Sequence, residues 1–177
     1  MSSEKHPVDL AARIRAVPDF PKKGILFRDI MPLLSDAEAL RYSVDRMAEF
    51  AVGKKVDVVL GAESRGFILG AALAYSLNAG FVCARKPGKL PWKTVSEAYE
   101  LEYGTDALEI HEDAITPGMN VLVHDDLLAT GGTAQAKCRL VEKVGGNVVG
   151  VAFLIELVDL KGRDKIAGYD VLSLLKY

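Results

Sequence analysis

The sequence predicts an α/β fold in which a mainly parallel central sheet is flanked by helices, and three observations carry that prediction. Near-continuous apolar runs recur at VDVVL, FVCA, VLVH and NVVGVAFLI, too uniform for strands with one wet face. Helical stretches separate them, so the runs are joined by crossovers and not by tight turns. The 177 residues are 50% hydrophobic and 26% charged, the composition of a folded chain with one sizeable core, read here as a single domain over residues 1–177.

In chain order, the N-terminal segment reads as a short helix carrying Leu10 and Ile14 and stopped by Pro18. The turn-rich PDFPKKG then leads into an extended ILF. Ser35 and Glu38 form a capping box for the next helix, whose Leu40, Val44, Met47 and Ala51 recur at helical spacing before Gly53 closes it. The strand VDVVL, turn GAESRG, helix FILGAALAYSL and strand FVCA make a first crossover. VLVH, a helix from about Thr133 to Val144, a stop at Gly145 and Gly146, and NVVGVAFLI make a second. Between the two lies a proline- and glycine-punctuated region with partial alternation at Tyr99, Leu101 and Tyr103, then Leu108 and Ile110, read as a mobile hairpin or flap.

A formal charge of -2 leaves no broad basic field for nucleic acid, although Arg85, Lys86, Lys89 and Lys93 form a local cationic cluster. Taken alone, that cluster reads as a solvated loop. The start of the chain lacks the apolar core of a secretory signal, and no apolar run approaches the roughly 18 residues of a membrane span, so a cytoplasmic address is expected. Cys83 and Cys138 stand in apolar and helical contexts without C-x-x-C spacing, and are expected to be buried free thiols.

The chemistry concentrates in VLVHDDLLATGGTA, Val121 to Ala134. Ligands of parallel sheets collect outside the carboxyl ends of the strands, where Asp125 and Asp126 fall. One aspartate there would merely solvate a strand exit, but a pair beside ATGGT asks for a ligand with two faces. Gly131 and Gly132 let consecutive N–H groups face one point, and Thr130 and Thr133 add hydroxyl donors. A helix-end dipole contributes about 0.3 to 1 kcal/mol and each hydrogen bond to a charged group about 1.5 to 3, so the convergent donors dominate anion binding. Gly61 to Gly66 has the G-x-x-x-x-G spacing of a nucleotide loop but is followed by Phe67, and no G-x-G-x-x-G occurs. A sugar phosphate fits both polarities, its phosphate in ATGGT and its hydroxyls on the two carboxylates.

These residues resemble the phosphoribosyl pyrophosphate signature of type I phosphoribosyltransferases. FPKKGILFRD, GAESRGF, RKPGKLP and YELEYG, in that order, extend the resemblance over nearly the whole chain to the adenine phosphoribosyltransferase family. His124, at a usually apolar position, and Trp92 with Lys93 depart from the family's pattern. The histidine is expected to pack or hydrogen-bond at the strand end. The resemblance implies the type I phosphoribosyltransferase fold with a small N-terminal hood over about 1–34 and a flexible flap over about 86–106. It implies transfer of ribose phosphate from phosphoribosyl pyrophosphate to adenine, giving AMP and pyrophosphate in purine salvage.

Carried onto this sequence, the resemblance assigns Asp125, Asp126, Ala129, Thr130, Gly131, Gly132 and Thr133 to the ribose 5-phosphate. Ser64, Arg65, Arg85, Lys86 and Lys89 go to the pyrophosphate, and Ile25, Phe27, Arg28 and Leu127 to adenine. By spacing alone Ile25, Leu26 and Phe27 read as ordinary core. Glu102, unremarkable in isolation, is implied as the catalytic group handling the proton at N7, with Tyr103 closing the flap. Magnesium is implied as a companion of the pyrophosphate, held mostly by substrate oxygens and water. The implied assembly is a homodimer, with no nucleic-acid or membrane partner. A transferase for hypoxanthine, guanine or xanthine would share the cradle, but ILFRD and YELEYG argue against it. A noncatalytic regulator that contacts nucleic acid would need an added domain or a broad basic face.

Overall fold

The computed structural model describes residues 8–100 and 105–177. Its elements are β1 (Arg15–Pro18), β2 (Leu26–Asp29), α1 (Met31–Ser35), α2 (Ala37–Phe50), β3 (Val58–Ala62), α3 (Arg65–Ser76) and β4 (Gly80–Ala84). There follow β5 (Thr94–Glu100), β6 (Thr105–His111), β7 (Asn120–Leu128), α4 (Gly132–Lys143), β8 (Asn147–Glu156) and β9 (Val171–Lys176).

The apolar runs are continuous because both faces of their sheet are covered. Five parallel strands lie in the order β4-β3-β7-β8-β9. Successive side chains alternate between faces: Leu60, Val123 and Phe153 join α4 and the inner side of β6 in one cluster, while Val59, Leu122 and Leu154 join α2 and α3 in the other. Both expected crossovers are present. β7 is central and long, paired to β3 only as far as Gly61↔His124 but to β8 as far as Leu128↔Glu156. Its last four residues therefore line an open crevice on the β3 side.

The N-terminal segment differs from the expected helix. A single 3-10 turn spans Ala11–Arg13, and the chain then extends as β1, antiparallel to β2 from Arg15↔Asp29 to Pro18↔Leu26. Pro18 explains the change, since a following proline disfavours helical backbone at Val17. The cap of α2 also differs. Met31-Pro32 opens a short helix that takes in Ser35, whose Oγ donates to the Pro32 carbonyl. Asp36 caps instead, accepting from the N–H groups of Glu38 and Ala39 at 3.0 Å each. Those bonds, the one from Ala39 foremost, hold its carboxyl below the usual range.

The hairpin is present as β5 and β6, paired from Thr94↔His111 to Glu100↔Thr105. Leu108 and Ile110 root β6 in the core over α4. β9, which the sequence reading did not assign, adds the outer strand beside β8. A short, mostly apolar segment such as VLSLLK is ambiguous between strand and helix until a neighbour pairs with it. Cys138 is buried and Cys83 half-buried, both free thiols. Among the described residues no helix is long and apolar enough to cross a membrane.

Candidate active site

At the carboxyl end of β7 lies a cleft of about 260 Å³. Asp125, Asp126, Leu127, Ala129, Thr130, Gly131, Gly132 and Thr133 enter it from β7 and the following loop. Ser64 and Arg65 enter from the start of α3, and Lys86 from beyond β4. Eleven of the residues singled out from sequence thus meet in one place. Glu63 and Tyr99 also line the cleft and were not anticipated.

The loop is built to leave donors free. Gly131 sits at φ 82°, in the left-handed region, as the N-cap of α4, and no side chain caps that helix end. Its first N–H groups therefore face the cleft without a protein acceptor from a cap. A Cβ at Gly131 would strike the carbonyl oxygen of Gly162, and one at Gly162 would strike the carbonyl of Ala129. Backbone thus packs on backbone behind the loop. The supporting segment is pinned by Arg163, whose Nε and Nη2 donate to the two oxygens of Glu156 at 2.7 and 2.8 Å. Nothing periodic in the sequence marks Gly162, Arg163 or Glu156 as the loop's support.

Each aspartate carries its own cation. Arg65 Nε lies 3.0 Å from Asp126 Oδ2, and Lys137 Nζ lies 2.7 Å from Asp125 Oδ2. Burial pushes the Asp126 carboxyl up to about 6, the neighbouring Asp125 charge adds to the rise, and Arg65 and Lys137 oppose it. Asp125 approaches α3 so closely that a Cβ on Gly66 would lie 2.6 Å from its Oδ1. His124 is fully buried, its Nδ1 3.0 Å from the Ala152 carbonyl, and burial lowers its pKa to about 4. It packs and hydrogen-bonds, as expected.

The cationic side is arranged around Glu63. Arg85 Nε and the Lys86 N–H donate to its carboxylate at 2.9 and 2.7 Å. Burial alone would raise Glu63, but these donors bring it below its ordinary value. The Lys86 ammonium rests 3.0 Å from Asp106, which raises its pKa. Arg85 and Lys89 stand outside the cleft lining, bonded to each other through Arg85 Nη1 and the Lys89 carbonyl at 3.1 Å.

Apart from Leu127, which lines the cleft, the residues expected to meet a base stand on the neighbouring β1–β2 hairpin. Ile25 and Leu26 are exposed, so the ordinary-core reading fails for them: a two-stranded ribbon has no second layer to cover both faces. Phe27 packs edge-on against Phe20, and the Arg65 guanidinium lies 5.1 Å from the Phe27 ring centre. Arg65 thereby links the hairpin to the acid pair. Arg28 stacks over Tyr177 at 3.9 Å. Glu102 and Tyr103 lie outside the described residues.

Residues 33–174 match the model of the phosphoribosyl transferase domain family. An adenine phosphoribosyltransferase of Clostridium perfringens is 60% identical over 170 residues, covering 96% of this chain and 99% of that protein. The crystal structure of adenine phosphoribosyltransferase from Thermoanaerobacter pseudethanolicus superposes with a TM-score of 0.92 at 55% identity, over 95% of this chain and 98% of that one. The Saccharomyces cerevisiae enzyme, crystallised with adenine and an imino-altritol bisphosphate, superposes with a TM-score of 0.88 at 40% identity, over 94% and 96% of the two chains.

Proposed function

This chain belongs to the phosphoribosyl transferase domain family and within it to the adenine phosphoribosyltransferases, and we propose that its cleft transfers the 5-phosphoribosyl group of phosphoribosyl pyrophosphate to adenine, releasing AMP and pyrophosphate. The observation that carries the reading is the meeting, in one cleft, of an uncapped glycine loop with an acid pair, Asp126 buried and Asp125 half-buried.

The loop from Ala129 to Thr133 takes the 5-phosphate on its amides and hydroxyls, and Asp125 and Asp126 accept from the ribose hydroxyls. Breaking the anomeric bond builds positive charge on the sugar and negative charge on the leaving group. Ser64, Arg65 and Lys86 meet the pyrophosphate, with Arg85 and Lys89 adding charge from the rim. Lys86 leaves Asp106 to do so.

Adenine lies between Phe27 and Leu127 with Arg28 beside it, and the main chain of Ile25 pairs with its 6-amino edge. A 6-oxo purine would leave that pairing unmade, which is how main-chain groups discriminate. Glu102 handles the N7 proton so that N9 attacks the anomeric carbon, and Tyr103 helps the hairpin close over the reacting sugar and exclude water.

The donor set fits a magnesium ion that arrives with the diphosphate. Glu63, Asp125 and Asp126 are each engaged by a cation of the chain, so the ion would be held by diphosphate oxygens and water, with Ser64, Arg65 and Lys86 gripping the diphosphate itself. Such an ion neutralises charge on the departing oxygens when bound. Two copies of the chain form the working unit, in the cytoplasm.

The test offers adenine, hypoxanthine, guanine and xanthine separately with phosphoribosyl pyrophosphate and magnesium, and identifies any nucleotide by mass. AMP from adenine alone is expected. A nucleotide from a 6-oxopurine with none from adenine would overturn the assignment.

A further inference from the structure

Helix α4 presents its inner face to the core through Ala134, Cys138, Leu140 and Val141, and Lys137 lies on that same face. Among the described residues it is the only lysine or arginine that is fully buried. An ammonium in such a place is costly unless it is paired and hydrogen-bonded. Lys137 Nζ donates to the His124 carbonyl and to Asp125 Oδ2, both at 2.7 Å. The stem of a residue at a helix core position therefore reaches under β7 and delivers its charge to the floor of the cleft.

We propose that Lys137 is a positioning residue for the sugar substrate, its sealed ammonium holding the Asp125 carboxylate oriented where a ribose hydroxyl donates to it. The inference rests on the reading of Asp125 and Asp126 as the diol grip. Asp125 Oδ2 is taken by Lys137 and Oδ1 accepts from the Asp126 N–H at 3.1 Å, so both oxygens are fixed. Each still has a second acceptor position. A free carboxylate would have to lose rotational freedom when the sugar binds; this one is already held. Lys137 follows Gly132 by about a turn and a half of helix, so the element that presents amides to the phosphate also anchors the carboxylate that takes the diol.

The other groups facing this pair are identified. β7 contributes Asp126 and the neutral, buried His124; α3 contributes Arg65, bonded to Asp126; α4 contributes Cys138, whose thiol burial pushes up to about 12 and keeps uncharged. β8 presents Phe153 opposite Asp125, which does not titrate. The ammonium opposes the rise that burial imposes on the Asp126 carboxyl. Removing it lets Asp126 keep a proton to higher pH.

The experiment compares the full-length enzyme with Lys137→Met, which keeps an unbranched apolar stem, and with Asp125→Asn, measuring kcat, the KM of each substrate and the pH dependence of kcat/KM. For Lys137→Met the KM for phosphoribosyl pyrophosphate should rise by about ten- to a hundredfold, the range that one hydrogen bond to a charged group carries. Adenine KM should hold, and the acid limb of kcat/KM should move to higher pH. Wild-type kinetics, or a joint loss for both substrates with an unmoved acid limb, would overturn the positioning role. If Asp125→Asn weakens the sugar substrate and Lys137→Met does not, the role of Lys137 falls while the diol reading stands. Wild-type affinity in Asp125→Asn sinks the diol reading itself. Should Lys137→Met not fold, the Lys137 ammonium resonance of wild-type protein is followed during titration with ribose 5-phosphate. A shift that tracks saturation is expected, and an unmoved resonance at saturation overturns the proposal.

Discussion

Asp126→Asn isolates the most consequential electrostatic feature of the cleft. In the folded chain burial and the Asp125 charge raise Asp126 from 3.8 to about 6, while burial lowers His124 from 6.5 to about 4. The two shifts act on stability with opposite sign. A raised carboxyl binds its proton more tightly when folded, so its stabilising effect is complete below 3.8 and is lost as pH rises through about 6. A depressed imidazole binds its proton more tightly when unfolded, so its contribution is present above 6.5 and is lost as pH falls through about 4. Between about 4 and about 6 the folded state holds one extra proton on Asp126 and the unfolded state one extra on His124. Their slopes cancel. Wild-type stability is therefore expected to be nearly flat there, whereas Asp126→Asn leaves the histidine unopposed and should gain stability by about 1.4 kcal/mol per pH unit.

Above pH 6 the same substitution removes a buried charge, and the variant should exceed wild type in stability while losing affinity for the sugar substrate. Arg65, about a third exposed, keeps water when its partner is neutral. Glu63, Asp106 and Glu156 have lowered carboxyls, so their contributions are lost only below the ordinary carboxylate values, at the acid edge of the window. Urea unfolding at several pH values, with the denaturant slope checked for constancy, reads the effect. Equal pH slopes in wild type and Asp126→Asn would refute the reasoning, as would a variant less stable than wild type above pH 6.

Gly131→Ala forces a side chain into the left-handed region and against the Gly162 carbonyl, and should lower stability by about 1 to 3 kcal/mol and weaken ribose 5-phosphate binding in calorimetry. Gly132→Ala should be milder, since its added Cβ meets the Glu100 carbonyl at 3.0 Å without a backbone penalty; equal losses at the two positions would count against the loop geometry. Glu102→Gln should keep substrate binding and slow turnover by about 10² to 10⁴, as general acid-base groups do; turnover close to wild type in steady-state assays would remove Glu102 from the mechanism.

Local signals made the crossovers and the glycine loop legible. Runs such as VLVH announce a strand covered on both faces, and Asp-Asp before Thr-Gly-Gly-Thr joins two polarities that one small ligand satisfies. Where neighbouring residues compete, the same reading slipped by a residue or an element: Asp36 took the cap expected of Ser35, and Pro18 turned a helix into β1. The exposure of Ile25 and Leu26 was equally hidden, because periodicity reports which face is apolar and says nothing of whether a second layer arrives to cover it.

From sequence alone came the α/β class, the candidate site's position at the end of β7, and the donors and acids of its loop, because these depend on residues within a few positions of one another. Tertiary structure decided which cation serves which acid: Arg65 reaches Asp126 and Lys137 reaches Asp125. It also decided that Gly162 backs Gly131 and that Arg163 is held by Glu156. Contacts of this kind depend on where the chain returns in space, and charge and size are matched there across separations that leave no periodic trace along the sequence.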